Sequence, residues 1–143
     1  MTTSNRVVSR FLLAAVLLVA AAVSMAASVQ PNADPKSILD RIYSVAQAER
    51  GESRFKTSCS SCHTPLSFAG GSFADRWSGQ TMAEVFDFVS NAMPENDPGG
   101  LKKTDYADVL AFILRANAYP AGNEDLPIDH DTLKQYEIVP NPK

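Results

Sequence analysis

The chain has 143 residues, 45% apolar and 20% charged, with 13 basic side chains against 16 acidic ones. That length suits one domain and is short for two. The acidic balance, −3 for the whole chain, argues against nucleic acid as a partner, which wants a basic face.

Residues 1–26 read as a signal peptide. Arg6 and Arg10 make a positive start, Phe11 to Val23 is an unbroken apolar run of 13 residues, and Ser24-Met25-Ala26 supplies small residues for cleavage. The run is short for a membrane span. Retention as an anchor is the competing reading, because the apolar character trails on to Val29. Either way the domain is expected outside the cytoplasm, in the periplasm, with no membrane contact once the signal is cleaved. Cleavage leaves 11 basic against 16 acidic residues, a charge of −5, which suits a partner with a positive patch.

Residues 27–43 read as a linker or N-terminal arm, with 44–120 as the domain and 121–143 as a C-terminal extended arm packed on it. Ser44-Val45-Ala46-Gln47 is a capping-box pattern, so a helix is expected from Val45. A glycine inside that helix, Gly51, costs about 1 kcal/mol relative to alanine unless it has a task. The task expected here is a close helix crossing, with Phe55 one turn on as the aromatic plug.

The helix leads into Cys59-Ser60-Ser61-Cys62-His63. C-x-x-C-H is the attachment signature of a covalent c-type haem. Two thiols three positions apart can reach the two vinyl groups of one porphyrin, and the next residue then carries an imidazole to the iron. A bare C-x-x-C also serves as a disulfide, a redox dithiol or half of a zinc site. The adjacent His63 and the oxidising compartment favour haem. The only other histidine, His130, is far away, so a closed zinc site would need a carboxylate.

Thr64 to Gly71 is loop chemistry. A backbone carbonyl between Pro65 and Gly71 is expected to accept from the second ring nitrogen of His63, with Leu66 and Phe68 at the haem edge. In the following stretch, Arg76 and Trp77 are candidates for binding a haem propionate through a guanidinium or an indole N–H. Thr81-Met82-Ala83-Glu84 is a second capping box. Met82, Val85, Phe86 and Val89 recur at helical spacing, which puts Met82 in the core.

Pro94 disfavours helical geometry at Met93, so this helix must end near Ala92 and present Met93 from an extended segment. Met1 and Met25 leave with the signal and Met82 is in the stripe. Met93 is therefore the candidate sixth ligand opposite His63. Thr104 is expected to cap a last helix in which Val109 and Phe112 cross the first at Gly51 and Phe55.

These residues together resemble the class I cytochromes c: Gly51-x-x-x-Phe55, Cys59 to His63, Met93-Pro94, and Tyr106-Ala107-Asp108-Val109-Leu110-Ala111-Phe112 in that order. The resemblance implies an all-α fold of three to five helices wrapped round one covalent haem c, the first and last helices crossing. It also implies thioethers at Cys59 and Cys62 and iron ligation by His63 and Met93. A finer likeness, carried by Arg76-Trp77-x-Gly79-x-Thr81, Pro98-Gly99 and Tyr119-Pro120-Ala121-Gly122, is to small periplasmic cytochromes associated with quinoprotein dehydrogenases.

The function implied is that of a one-electron carrier, not an enzyme. Its partners would be redox proteins: a quinoprotein dehydrogenase on one side and a terminal oxidase or another cytochrome on the other. The rivals are a haem enzyme or ligand sensor with a displaceable Met93, and a membrane-tethered cytochrome subunit of a dehydrogenase complex.

Overall fold

The computed structural model describes residues 36–142; the signal segment 1–26 and the first part of the arm lie outside these residues. Five α-helices and one 3₁₀ turn follow in order: α1 (Val45–Ser58), the 3₁₀ turn (Pro65–Phe68), α2 (Ser72–Trp77), α3 (Met82–Ala92), α4 (Lys103–Ala116) and α5 (His130–Leu133). Among the described residues there is no strand, only isolated bridges. The all-α expectation holds.

Helix α1 begins where Ser44 accepts from the Gln47 N–H at 3.0 Å. The reciprocal half of the box is not made. The Gln47 side chain is buried and turns instead to the C-terminal arm, donating to the Leu126 carbonyl and accepting from the Leu126 N–H at 2.6 Å. The box at α3 is complete, with Thr81 N–H donating to Glu84 at 2.6 Å. Helix α4 starts one residue before Thr104, and its cap position, Lys102, has no side-chain cap bond. The Thr104 cap is therefore corrected.

Helices α1 and α4 cross at Gly51. A Cβ placed there would lie 1.8 Å from the Asp108 carbonyl oxygen, so the two backbones touch where a side chain would stand. Phe55 and Phe112 then meet at 5.3 Å between ring centroids. The crossing is flanked by Arg50, whose guanidinium donates to both oxygens of Asp108 at 3.1 and 3.2 Å and to Asp125 at 2.6 Å. Asp108 is otherwise a buried carboxylate and needs this partner.

Of the segment 27–43, the described part from Lys36 is docked: Ile38, Ile42 and Tyr43 are core residues. The C-terminal arm crosses it and the turn before α3. Ile38 N–H donates to the Glu137 carbonyl, Glu137 N–H to Lys36, and Ile138 exchanges bonds with Gly79 and Gln80. Leu126, Leu133 and Ile138 of the arm are buried. An apolar side chain fully buried in this way is worth about 1.5–3 kcal/mol.

Several carboxylates are held below their ordinary values: Asp125 by the Ser44 hydroxyl and then Arg50, Glu84 by the Thr81 N–H, Asp129 by the Thr132 hydroxyl. A lowered folded-state value stabilises fully above the ordinary values, 3.8 for Asp and 4.5 for Glu, and the gain is lost as pH falls below them. Water screens these exposed groups, so the effect is modest. The thermal midpoint should fall as pH drops from about 5 to about 3; a flat midpoint would show that these bonds carry no net stability.

Candidate haem site

One cavity of about 820 Å³ lies between the Cys59–His63 turn, α2, the end of α3 and the face of α4. Its size falls in the range of sites that enclose an organic ligand, roughly 300–1,000 Å³. Four of the expected residues line it together: Cys59, Cys62, His63 and Met93. Arg76 and Trp77 line it as well. The walls are otherwise largely apolar, with Phe55, Phe73, Val85, Val109, Leu110 and Ile113 among them.

Each donor is placed by a local feature. Cys59 caps α1, its N–H donating to the Phe55 carbonyl at 2.9 Å. The chain then coils tightly, with Cys62 and His63 N–H both donating to the Cys59 carbonyl at 3.2 and 2.9 Å. That turn keeps both thiols and the imidazole on the cavity. Neither cysteine is in a disulfide. Burial pushes the Cys59 thiol above its ordinary value, opposed by Arg54. Met93 is extended (φ −128°, ψ 150°) at the end of α3, as the following proline requires.

The expected acceptor for His63 is not found. No carbonyl of 65–71 receives its ring; the imidazole meets the Phe68 ring instead, 5.2 Å between centroids. Several carbonyls of the segment bond locally. Thr64 and Leu66 carbonyls are taken by Ser67 and Ala69 N–H, Ser67 and Ala69 carbonyls by the Ser72 hydroxyl, and the Phe68 carbonyl by Asn117. Phe68 lines the cavity, but Leu66 does not: it is 83% exposed on the 3₁₀ turn.

Arg76 stacks on two aromatic faces, 5.2 Å from the Trp77 centroid and 5.5 Å from that of Phe88. Among the described residues it has no carboxylate partner. A cation at the rim of an apolar cavity is where an acidic substituent of a bound ring would be matched. Sequence reasoning missed helix α2, which carries both residues, because its six residues are too few for an apolar period. It also missed Phe88. Its signal was the aromatic stack with Trp77, 5.3 Å away in space and eleven positions along the chain.

The donor chemistry fits haem: two free thiols for thioethers, an imidazole nitrogen and a thioether sulfur for iron, apolar walls for the ring and a cation at the edge. His130 does not line the cavity and pairs with Asp87 at 3.1 Å.

The described residues are all-α, with the C-x-x-C-H helix crossed by the last long helix, which is consistent with a class I c-type cytochrome domain. The comparison with known families agrees. Residues 46–113 match the family described as Cytochrome C oxidase, cbb3-type, subunit III, so this segment is similar to a c-type cytochrome domain. That likeness implies covalent haem c as the cofactor and supports haem-based electron transfer. No curated protein and no solved structure matches the chain.

Proposed function

We propose that the protein is a periplasmic one-electron carrier in which His63 and Met93 would hold the haem iron and Cys59 and Cys62 would anchor the ring covalently. The observation that carries this reading is the convergence of these four side chains on one apolar cavity. When bound, the haem supplies a one-electron couple whose potential a thioether ligand raises. The chain's residues hold and shield it. Phe55, Val109 and Ile113 exclude water from the ring, which disfavours the extra charge of the oxidised state. Arg76 and Trp77 meet the propionates.

Were His63 and Met93 both to hold the iron, the haem would offer no site to oxygen or peroxide. Electrons leave beside the Cys pair, where residues 57–74 carry no charged side chain and Leu66 projects into solvent. Docking there is weak and transient, with a small interface. A quinoprotein dehydrogenase as donor and a terminal oxidase or second cytochrome as acceptor fit this role. The word subunit in the family's printed description favours one further reading, a cytochrome subunit of a larger complex, which a retained N-terminal segment would tether. N-terminal sequencing from the native host separates the two: a start at or near Ala27 removes the anchor.

The test is an absorption spectrum of the exported protein, oxidised and reduced, before and after extraction with acidified organic solvent. Colour that stays with the polypeptide and a weak long-wavelength iron–methionine band in the oxidised form are the expected result. Covalent colour without that band would replace Met93 and reopen the sensor reading. No colour, from a host able to mature c-type haem, would reject the site.

A further inference from the structure

We propose that Tyr106 is the positioning residue of the Met93 loop, a single hydroxyl that clips both ends of the segment presenting the thioether. The proposal rests on Met93 being an iron ligand, as argued above.

The loop runs from Met93 to Leu101. Met93 closes α3, its N–H donating to the Val89 carbonyl at 3.0 Å. The next backbone bonds stay inside the loop: Asp97 N–H donates to Pro94 at 2.9 Å and Gly100 N–H to Asp97 at 3.0 Å. Such local turns shape the loop without tying it to the helices. The tie is made by Tyr106. Its hydroxyl donates to the Met93 carbonyl at 2.7 Å and accepts from the Leu101 N–H at 3.3 Å. One atom therefore holds the residue that enters the loop and the residue that leaves it.

Tyr106 is suited to this task. It stands in the first part of α4 and is 2% exposed, with its ring edge-on to Phe86 of α3 at 6.5 Å. The hydroxyl is thus fixed by the packing of two helices before it meets the loop. A neutral thioether is a weak donor, and its hold on iron depends on being presented in place. Clipping both ends of the loop restricts the positions that Met93 visits when it is off the metal. Without the hydroxyl, the Met93 carbonyl and Leu101 N–H lose their partner in a half-buried site, and water can enter between loop and helix.

The experiment uses holoprotein and the variant Tyr106→Phe, which keeps the ring and its contact with Phe86. Imidazole is the probe, because it competes with Met93 for the iron. The variant should retain covalent haem, bind imidazole roughly tenfold more tightly, the size of one hydrogen bond, and show a weaker iron–methionine band. Arg50→Ala, which weakens the fold far from this loop, should leave imidazole affinity unchanged. Hydrogen exchange at the Leu101 amide needs no variant: it should be protected in the wild type and faster in Tyr106→Phe. A wild-type spectrum that lacks the iron–methionine band overturns the ligand assignment and this proposal with it. The band present, with imidazole affinity equal in the two proteins, overturns the role of Tyr106 alone. An unprotected Leu101 amide in the wild type does the same.

Discussion

Met93→Ala leaves the haem covalently attached, abolishes the iron–methionine band, lowers the midpoint potential and lets carbon monoxide bind the reduced protein at once. The attachment survives because the thiols and His63 sit on the α1 side of the cavity, in a turn whose bonds run to Phe55 and Cys59 and not to the Met93 loop. The potential falls because a thioether stabilises the reduced iron more than the water or small ligand that replaces it. Alanine removes only the donor, since Met93 lies in an extended backbone that any residue adopts. Stopped-flow binding and redox titration measure both effects. An unchanged spectrum would require another sixth ligand. His130 is a poor substitute, held outside the cavity by Asp87. The same variant separates carrier from sensor: slow or absent carbon monoxide binding in the wild type, against immediate binding in Met93→Ala, identifies Met93 as the group that closes the iron.

Gly51→Ala should unfold or severely loosen the domain. On an exposed helix this change would stabilise by about 1 kcal/mol, because alanine favours the helix. Here the added carbon would stand 1.8 Å from the Asp108 carbonyl oxygen and 2.4 Å from its carbon, both backbone atoms with no rotamer to escape into. Helices α1 and α4 must separate, and the Phe55–Phe112 contact and the Arg50–Asp108 pair separate with them. Forced overpacking of this kind costs on the order of 3 kcal/mol. For a domain of this size that lowers the thermal midpoint by on the order of 15 °C. A melt of the holoprotein decides the matter by sign alone. A midpoint equal to or above the wild type would mean that the helices do not cross at Gly51.

Much of this molecule was legible locally. C-x-x-C-H encodes its attachment chemistry within five residues. Thr81 and Glu84 announce the start of α3 because both partners of the box lie within one turn. Pro94 ends that helix through a steric effect on the residue before it, which is why Met93 could be placed in an extended segment. Gly51 stood out because an unexplained glycine in a helix is costly, and with the haem signature so near a close crossing was the preferred reason.

The remainder depended on partners far along the chain. Gln47 looks like half of a capping box, yet Leu126, 79 positions away, takes its side chain. The C-terminal arm has no period of its own, and only the docking of Leu133 and Ile138 beside Ile38 makes it part of the core. One of the Pro65–Gly71 carbonyls was expected to serve His63, but none receives its ring, and the Ser67, Ala69 and Phe68 carbonyls bond to Ser72 and Asn117. Nothing near Tyr106 in the sequence marks its hydroxyl as the tie of the Met93 loop. Short-range sterics and motif spacing thus pointed to the cofactor and the candidate donors, and the resemblance to class I cytochromes c implied the class of fold. Which polar group satisfies which, and how the donor loop is held, was decided by tertiary packing, because a hydrogen-bonding side chain takes the partner that the fold brings to it.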